Sequence, residues 1–223
     1  MRWDTAPRGA ARITPRSSGA HRRGSRGHGI LVALAVLPAL IAGCGGAAEQ
    51  VTPPGGGQAE RAFLSSMVPH HTSAVDMAKV ARTEAESDFV RDLAEDIASS
   101  QTAEVKRMGA IHQELFAMAL KPDEGAHAQL GLSAAAAGMD HMDGAAMIRG
   151  RRPFDRAFVD EMVGHHRGAI AMAEVVKERS REGQVRALAQ GIVSAQRREI
   201  RDMDDFRERT YGAPTAAAGG GTG

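Results

Sequence analysis

The chain has 223 residues, 25% of them charged and 4% aromatic, with a formal net charge of +1 and one cysteine. That length suits one ordinary domain. Seven arginines and a single acid fall in residues 1–43, which leaves 21 basic and 26 acidic side chains in the remainder, a net charge of −5. The positive balance belongs to the N-terminus alone, so charge gives no support to a nucleic-acid partner, and one cysteine excludes an internal disulfide.

The N-terminal stretch reads as an export signal. Arg22, Arg23 and Arg26 lead into an apolar run over residues 30–42, too short to span a bilayer as a stable helix. The run ends in Ile41-Ala42-Gly43-Cys44. A basic segment, a short apolar segment and small residues before a cut define a secretory signal. A cysteine at the cut resembles the lipobox of bacterial lipoproteins, where the thiol receives a diacylglyceryl group. Residues 1–43 are therefore expected to be a lipoprotein signal peptide, with Cys44 the lipidation site. The lipid anchor would hold the protein on the membrane, at the outer face of the cytoplasmic membrane or in the periplasm. Residues 44–58, rich in Gly and Pro, read as a flexible tether, and residues 212–223 as a disordered tail.

Between these ends, four segments carry helical periodicity: about 59–84, 85–120, 153–181 and 184–211. In the first, Phe63, Met67, His70, His71, Ala74, Met77 and Ala78 share one face. Pro69 interrupts it and is expected to distort the helix locally and so aim the imidazoles. In the second, Gln101 and Glu104 break an otherwise apolar face that includes Met108. Pro153 opens the third segment, and Gly183 marks the turn into the fourth.

The third and fourth segments repeat the first and second. Displaced by 95 positions, Met67, His70, His71 and Met77 return as Met162, His165, His166 and Met172; Gln101, Glu104 and Met108 return as Gln196, Glu199 and Met203. Of the 46 positions from 63 to 108, 18 are identical in the second copy, and such self-similarity marks a repeated structural unit. Two helical hairpins, 59–120 and 153–211, joined by a long crossover, 121–152, imply an all-α antiparallel four-helix bundle over residues 59–211. The crossover gathers Met139, His141, Met142 and Met147 among small residues. It reads equally as a soft-ligand site in a flexible segment and as a loop or short helix docked on the bundle.

The repeated polar residues admit two readings. Buried His, Gln and Glu need partners, so each Glu is expected to accept from a histidine and each Gln to bridge. A hydrogen-bond network of that kind would do no more than specify the bundle. The alternative is a metal site: His70, His71, His165 and His166 with Met67, Met77, Met108, Met162, Met172 and Met203 offer imidazole and thioether donors, suited to copper and, for imidazole, zinc. Adjacent histidines diverge by about 100° on a helix. One of each pair is then expected to face a ligand while the other packs or bonds to Glu104 or Glu199, with Gln101 and Gln196 in support. A di-iron carboxylate site is disfavoured, because it needs Glu-x-x-His motifs where this chain has Gln-x-x-Glu. No nucleophile–base arrangement or cofactor fingerprint stands out, so no enzymatic activity is expected.

The pattern M-x-x-H-H-x-x-A-x-x-M-A followed by Q-x-x-E-x-x-x-M resembles the bacterial domain of unknown function 305 over residues 60–210. That resemblance implies a ferritin-like helical bundle in an exported protein. Since some members are implicated in copper binding or copper resistance outside the cytoplasm, it also implies copper as the metal.

Overall fold

A computed structural model describes residues 57–212. Among these the protein is all-helical: α1 (Gln58–Glu84), α2 (Asp88–Phe116), α3 (Gly144–Ile148), α4 (Phe154–Arg179) and α5 (Gly183–Tyr211), with two 3-10 turns, Glu124–Leu130 and Met139–His141, in the crossover. The expected signal peptide, the expected lipidation site Cys44, nearly all of the expected tether and the stretch beyond Gly212 lie outside the described residues. Among those described, no helix is long and apolar enough to cross a membrane.

Local chemistry sets the helix ends. Ser87 caps α2, its hydroxyl accepting from the Val90 amide, which satisfies one of the free N–H groups of the first turn. The buried Asp155 carboxylate in the first turn of α4 accepts from the Glu86 and Ser87 amides, each at 2.8 Å. That contact fastens the α1–α2 turn to the second hairpin. The second helix is shorter than its periodicity predicts: it stops at Phe116, because Ala117 turns into the left-handed region at φ 54° and donates to the Gln113 carbonyl. Gly183 is not the turn residue either. The turn is made by the residues before it, with Glu182 N–H donating to the Ser180 hydroxyl, and Gly183 is already helical.

α1 packs against α2 and α4 against α5; the hairpins meet chiefly through α1 and α4, while α2 and α5 scarcely touch. The core divides into two apolar clusters. One holds Met67, Met108 and Met172 with Phe63, Leu64 and Ile192. The other holds Met77, Met162 and Met203 with Ile97, Phe154 and Phe158. Met67 thus shares a cluster with Met172, and Met77 with Met162, so α1 and α4 run in opposite directions. The histidine pairs lie between the two clusters in sequence on both helices.

The crossover is ordered and docked, which corrects the reading of it as a flexible segment. Pro69 explains where it starts. A proline inside a helix leaves the carbonyl four residues earlier without its N–H. Here that carbonyl is Ser65, and the Asp123 amide donates to it at 2.9 Å. α1 continues unbroken through Pro69, and the carbonyl that the proline frees serves as a docking point.

Candidate metal centre

The four repeated histidines are all at 0% exposure, and the structure assigns them two roles. His71 on α1 bonds to Glu104 on α2, Nε2 to Oε2 at 2.8 Å; His166 on α4 bonds to Glu199 on α5 at 2.6 Å. Each pair ties one hairpin together. The carboxylates sit at the rim, 23% and 19% exposed. A carboxylate accepts, so Nε2 is the donor in each pair.

His70 and His165 meet across the hairpin interface instead. Their rings lie 3.8 Å apart between centroids, inclined by 43°. Neither nitrogen of either ring finds a hydrogen-bond partner among the described residues, nor does Nδ1 of His71 or His166. Burial holds His70 well below the ordinary histidine range, helped by the neighbouring His71, His166 and His141. His165 is lowered in the same way, by burial first and then by His70, His166, His71 and His141. Both are therefore neutral imidazoles at physiological pH, the form that binds a metal. Burial pushes Glu199 up, but the hydrogen bond and charge of His166, with Arg198, outweigh it and leave the carboxyl below its usual value.

The expected Gln bridges do not form. Gln101 and Gln196 are each 2% exposed, yet neither amide has a partner among the described residues. Spacing placed them on the inner face, and both are buried there. The six bundle methionines are fully buried. The Ser66 hydroxyl donates to the Ala62 carbonyl at 2.8 Å and lies 3.4 Å from the Met172 sulfur. Among the described residues no group of three or more His, Cys, Asp or Glu is arranged to hold a metal ion.

The crossover lies over this centre. Gly138 packs on the ring of His70: a Cβ added there would stand 3.0 Å from His70 Nε2 and 3.2 Å from the His165 carbonyl. A Cβ at Gly168 would collide with the Gly138 backbone, and one at Gly164 would stand 2.9 Å from the His141 ring. His141 Nδ1 bonds to Glu161 at 2.7 Å, and that bond, first among the causes, raises His141 above its ordinary value. The Ser73 hydroxyl donates to the Met142 carbonyl at 2.9 Å. Met139 packs on the first core cluster. Met147 does not join the group: it is 52% exposed on α3. Periodicity could not find Glu161, Gly138 or Gly168, although the Ser66/Glu161 difference between the copies was a signal.

A family model described as Domain of unknown function (DUF305) matches residues 60–207. The chain belongs to the DUF305 family. A DUF305 protein from Streptomyces coelicolor, assigned as secreted, shares the fold at TM-score 0.63 and 28% identity, over 71% of this chain and 97% of its own. A DUF305 fragment from Deinococcus radiodurans matches at TM-score 0.56 and 30% identity, over 70% and 99%. CopM in its Cu(I)-bound form matches at TM-score 0.56 and 27% identity, over 69% and 98%. CopM is also solved with Cu(II), with silver and in the apo form. No curated protein sequence matches the chain.

Proposed function

We propose that this DUF305 protein is an exported, lipid-anchored copper-binding protein that sequesters or hands on the metal, without catalysing a reaction. The observation that supports it most is the His70–His165 pair. Two neutral imidazoles face each other in full burial with no hydrogen-bond partner among the described residues, and each unsatisfied buried polar atom costs about 1–3 kcal/mol. A bound ion would offset that cost. The adjoining donors are thioethers, buried in both flanking clusters, and thioether with imidazole suits Cu(I) above harder ions. His70 and His165 would hold the metal, with methionine sulfurs as further donors. Copper- and silver-bound forms of CopM, a protein of the same fold, favour the same reading. Export and anchoring rest on the N-terminal signal and Cys44, and a relative assigned as secreted agrees with them.

One observation favours a structural role instead. The His71–Glu104 and His166–Glu199 bonds join the helices of each hairpin and need no metal. Loading the purified full chain with Cu(I), Cu(II) or Zn(II), desalting and counting bound metal separates the two. Copper retained near one equivalent, and lost when His70 and His165 are both changed to alanine, supports the metal reading. Retention below about 0.1 equivalent for every ion overturns it, because a site coupled to folded ligands holds its ion through desalting.

A further inference from the structure

The inner imidazoles are at 0% exposure, so an ion arriving from solvent must first meet some other donor. His141 is placed to be that donor. Its side chain is 27% exposed, while its ring covers Gly164, the residue just before His165-His166. Glu161 takes Nδ1, which leaves Nε2 as the ring nitrogen not held by that carboxylate. A carboxylate on one ring nitrogen that orients the other toward a metal is the common arrangement for ligating histidines. The nearest anion to Nε2 is Asp140 at 3.7 Å, beyond hydrogen-bond range. Three residues earlier, Gly138 lies directly on His70 Nε2. Beside the segment, a cleft of about 340 Å³ lined by Pro69, Thr72, Ser73 and Met142 meets solvent.

The two copies differ where this segment docks. Pro69 frees the Ser65 carbonyl for the Asp123 amide, while its counterpart Gly164 makes room for the His141 ring. Ser73 bonds to the Met142 carbonyl, while its counterpart Gly168 admits the Gly138 backbone. Ser66 has as its counterpart Glu161, which holds His141. Each of these three departures from the repeat is filled or used; Ser66 alone turns back on its own helix, to the Ala62 carbonyl. A loop that only connected two hairpins would not need an imidazole held by a carboxylate at this spot.

We propose that His141 receives copper from solvent and passes it by ligand exchange to His70 and His165, and that residues 137–142 form the flap that closes over the ion. This rests on the copper reading above. The flap is held by Ala137 and Met139 against the first core cluster, by the His141–Glu161 bond and by the Ser73 hydroxyl, and none of these contacts joins the two helices of one hairpin. The transfer is a change of ligands with no change of oxidation state.

The test is the rate at which the full chain takes Cu(I) from a chromophoric Cu(I) chelator, set beside the copper held at equilibrium. His141→Ala should slow uptake by about tenfold or more, the scale of effects from groups that position a metal, and leave equilibrium stoichiometry unchanged. Gly164→Ala displaces the same ring without deleting it and should slow uptake in the same way, which covers the case of a misfolded His141→Ala. Gly168→Ala, which forces Gly138 off the bundle, should speed both uptake and release and raise amide hydrogen exchange over residues 137–142 in the metal-free chain. Uptake by His141→Ala at the unaltered rate overturns the proposal and favours a route past the rim carboxylates Glu104 and Glu199. Loss of one copper at equilibrium also overturns it, since His141 would then be a resident ligand. A chain that takes no copper at all fails the copper reading itself, which is a distinguishable result.

Discussion

A buried imidazole answers acid according to what surrounds it. His70 and His165 have folded-state values well below the ordinary 6.5, with burial as the main cause. The unfolded chain therefore takes up protons at a higher pH than the folded one, so stability is complete above about 6.5 and falls as pH drops below it. His141 works in the opposite direction. Its folded value is raised, chiefly by Glu161, so its contribution is present in acid and fades as pH rises through that value. Two fully buried rings outweigh one half-exposed ring on the acid side. Urea unfolding of the metal-free chain should give a free energy that declines above about pH 6.5 only by the His141 contribution. Below about pH 6.5 it should fall, by up to about 1.4 kcal/mol per pH unit for each buried ring. A profile that stays flat down to about pH 5 would mean that the rings protonate in the folded chain and are not enclosed as described.

At the scale of helices, Pro69 gives the sharpest expectation. Replacing it by alanine returns an N–H to α1, and that N–H competes with the Asp123 amide for the Ser65 carbonyl. Pro69→Ala should speed hydrogen exchange at Asp123 by about fivefold, the equivalent of one net hydrogen bond of roughly 1 kcal/mol, while α1 itself becomes harder to unfold. Unchanged exchange at Asp123 would detach the crossover from this explanation. The same residue marks the limit of what the sequence could show. Periodicity located α1, α2, α4 and α5 to within a few residues, because each buries one apolar face. The repeat located His70 and His165 because both copies carry them. The crossover follows neither signal. Its contacts depend on positions where the copies differ, Pro69/Gly164 and Ser73/Gly168, and identity between repeats is blind to those. The early end of α2 at Ala117 was hidden for a similar reason: alanine favours helix and carries no mark of a left-handed cap.

Over the whole molecule, duplication turns one modest motif into a centre. A single hairpin places His70 and His71 on α1, and the Glu104 bond accounts for only one of them. The second hairpin brings His165 against the other, and the opposed directions of α1 and α4 set three buried methionines in the core cluster on either side. The crossover then lays Gly138 over the junction. The fold is shared with CopM and with DUF305 proteins from two other bacteria, and the paired, unpartnered imidazoles are what this chain offers a soft ion. X-ray absorption at the copper edge of the Cu(I)-loaded full chain tests that most directly. It should show nitrogen and sulfur scatterers together, with the nitrogen contribution lost when His70 and His165 are both changed to alanine. Copper bound through nitrogen and oxygen alone, or a spectrum unaltered by that double change, would contradict the account.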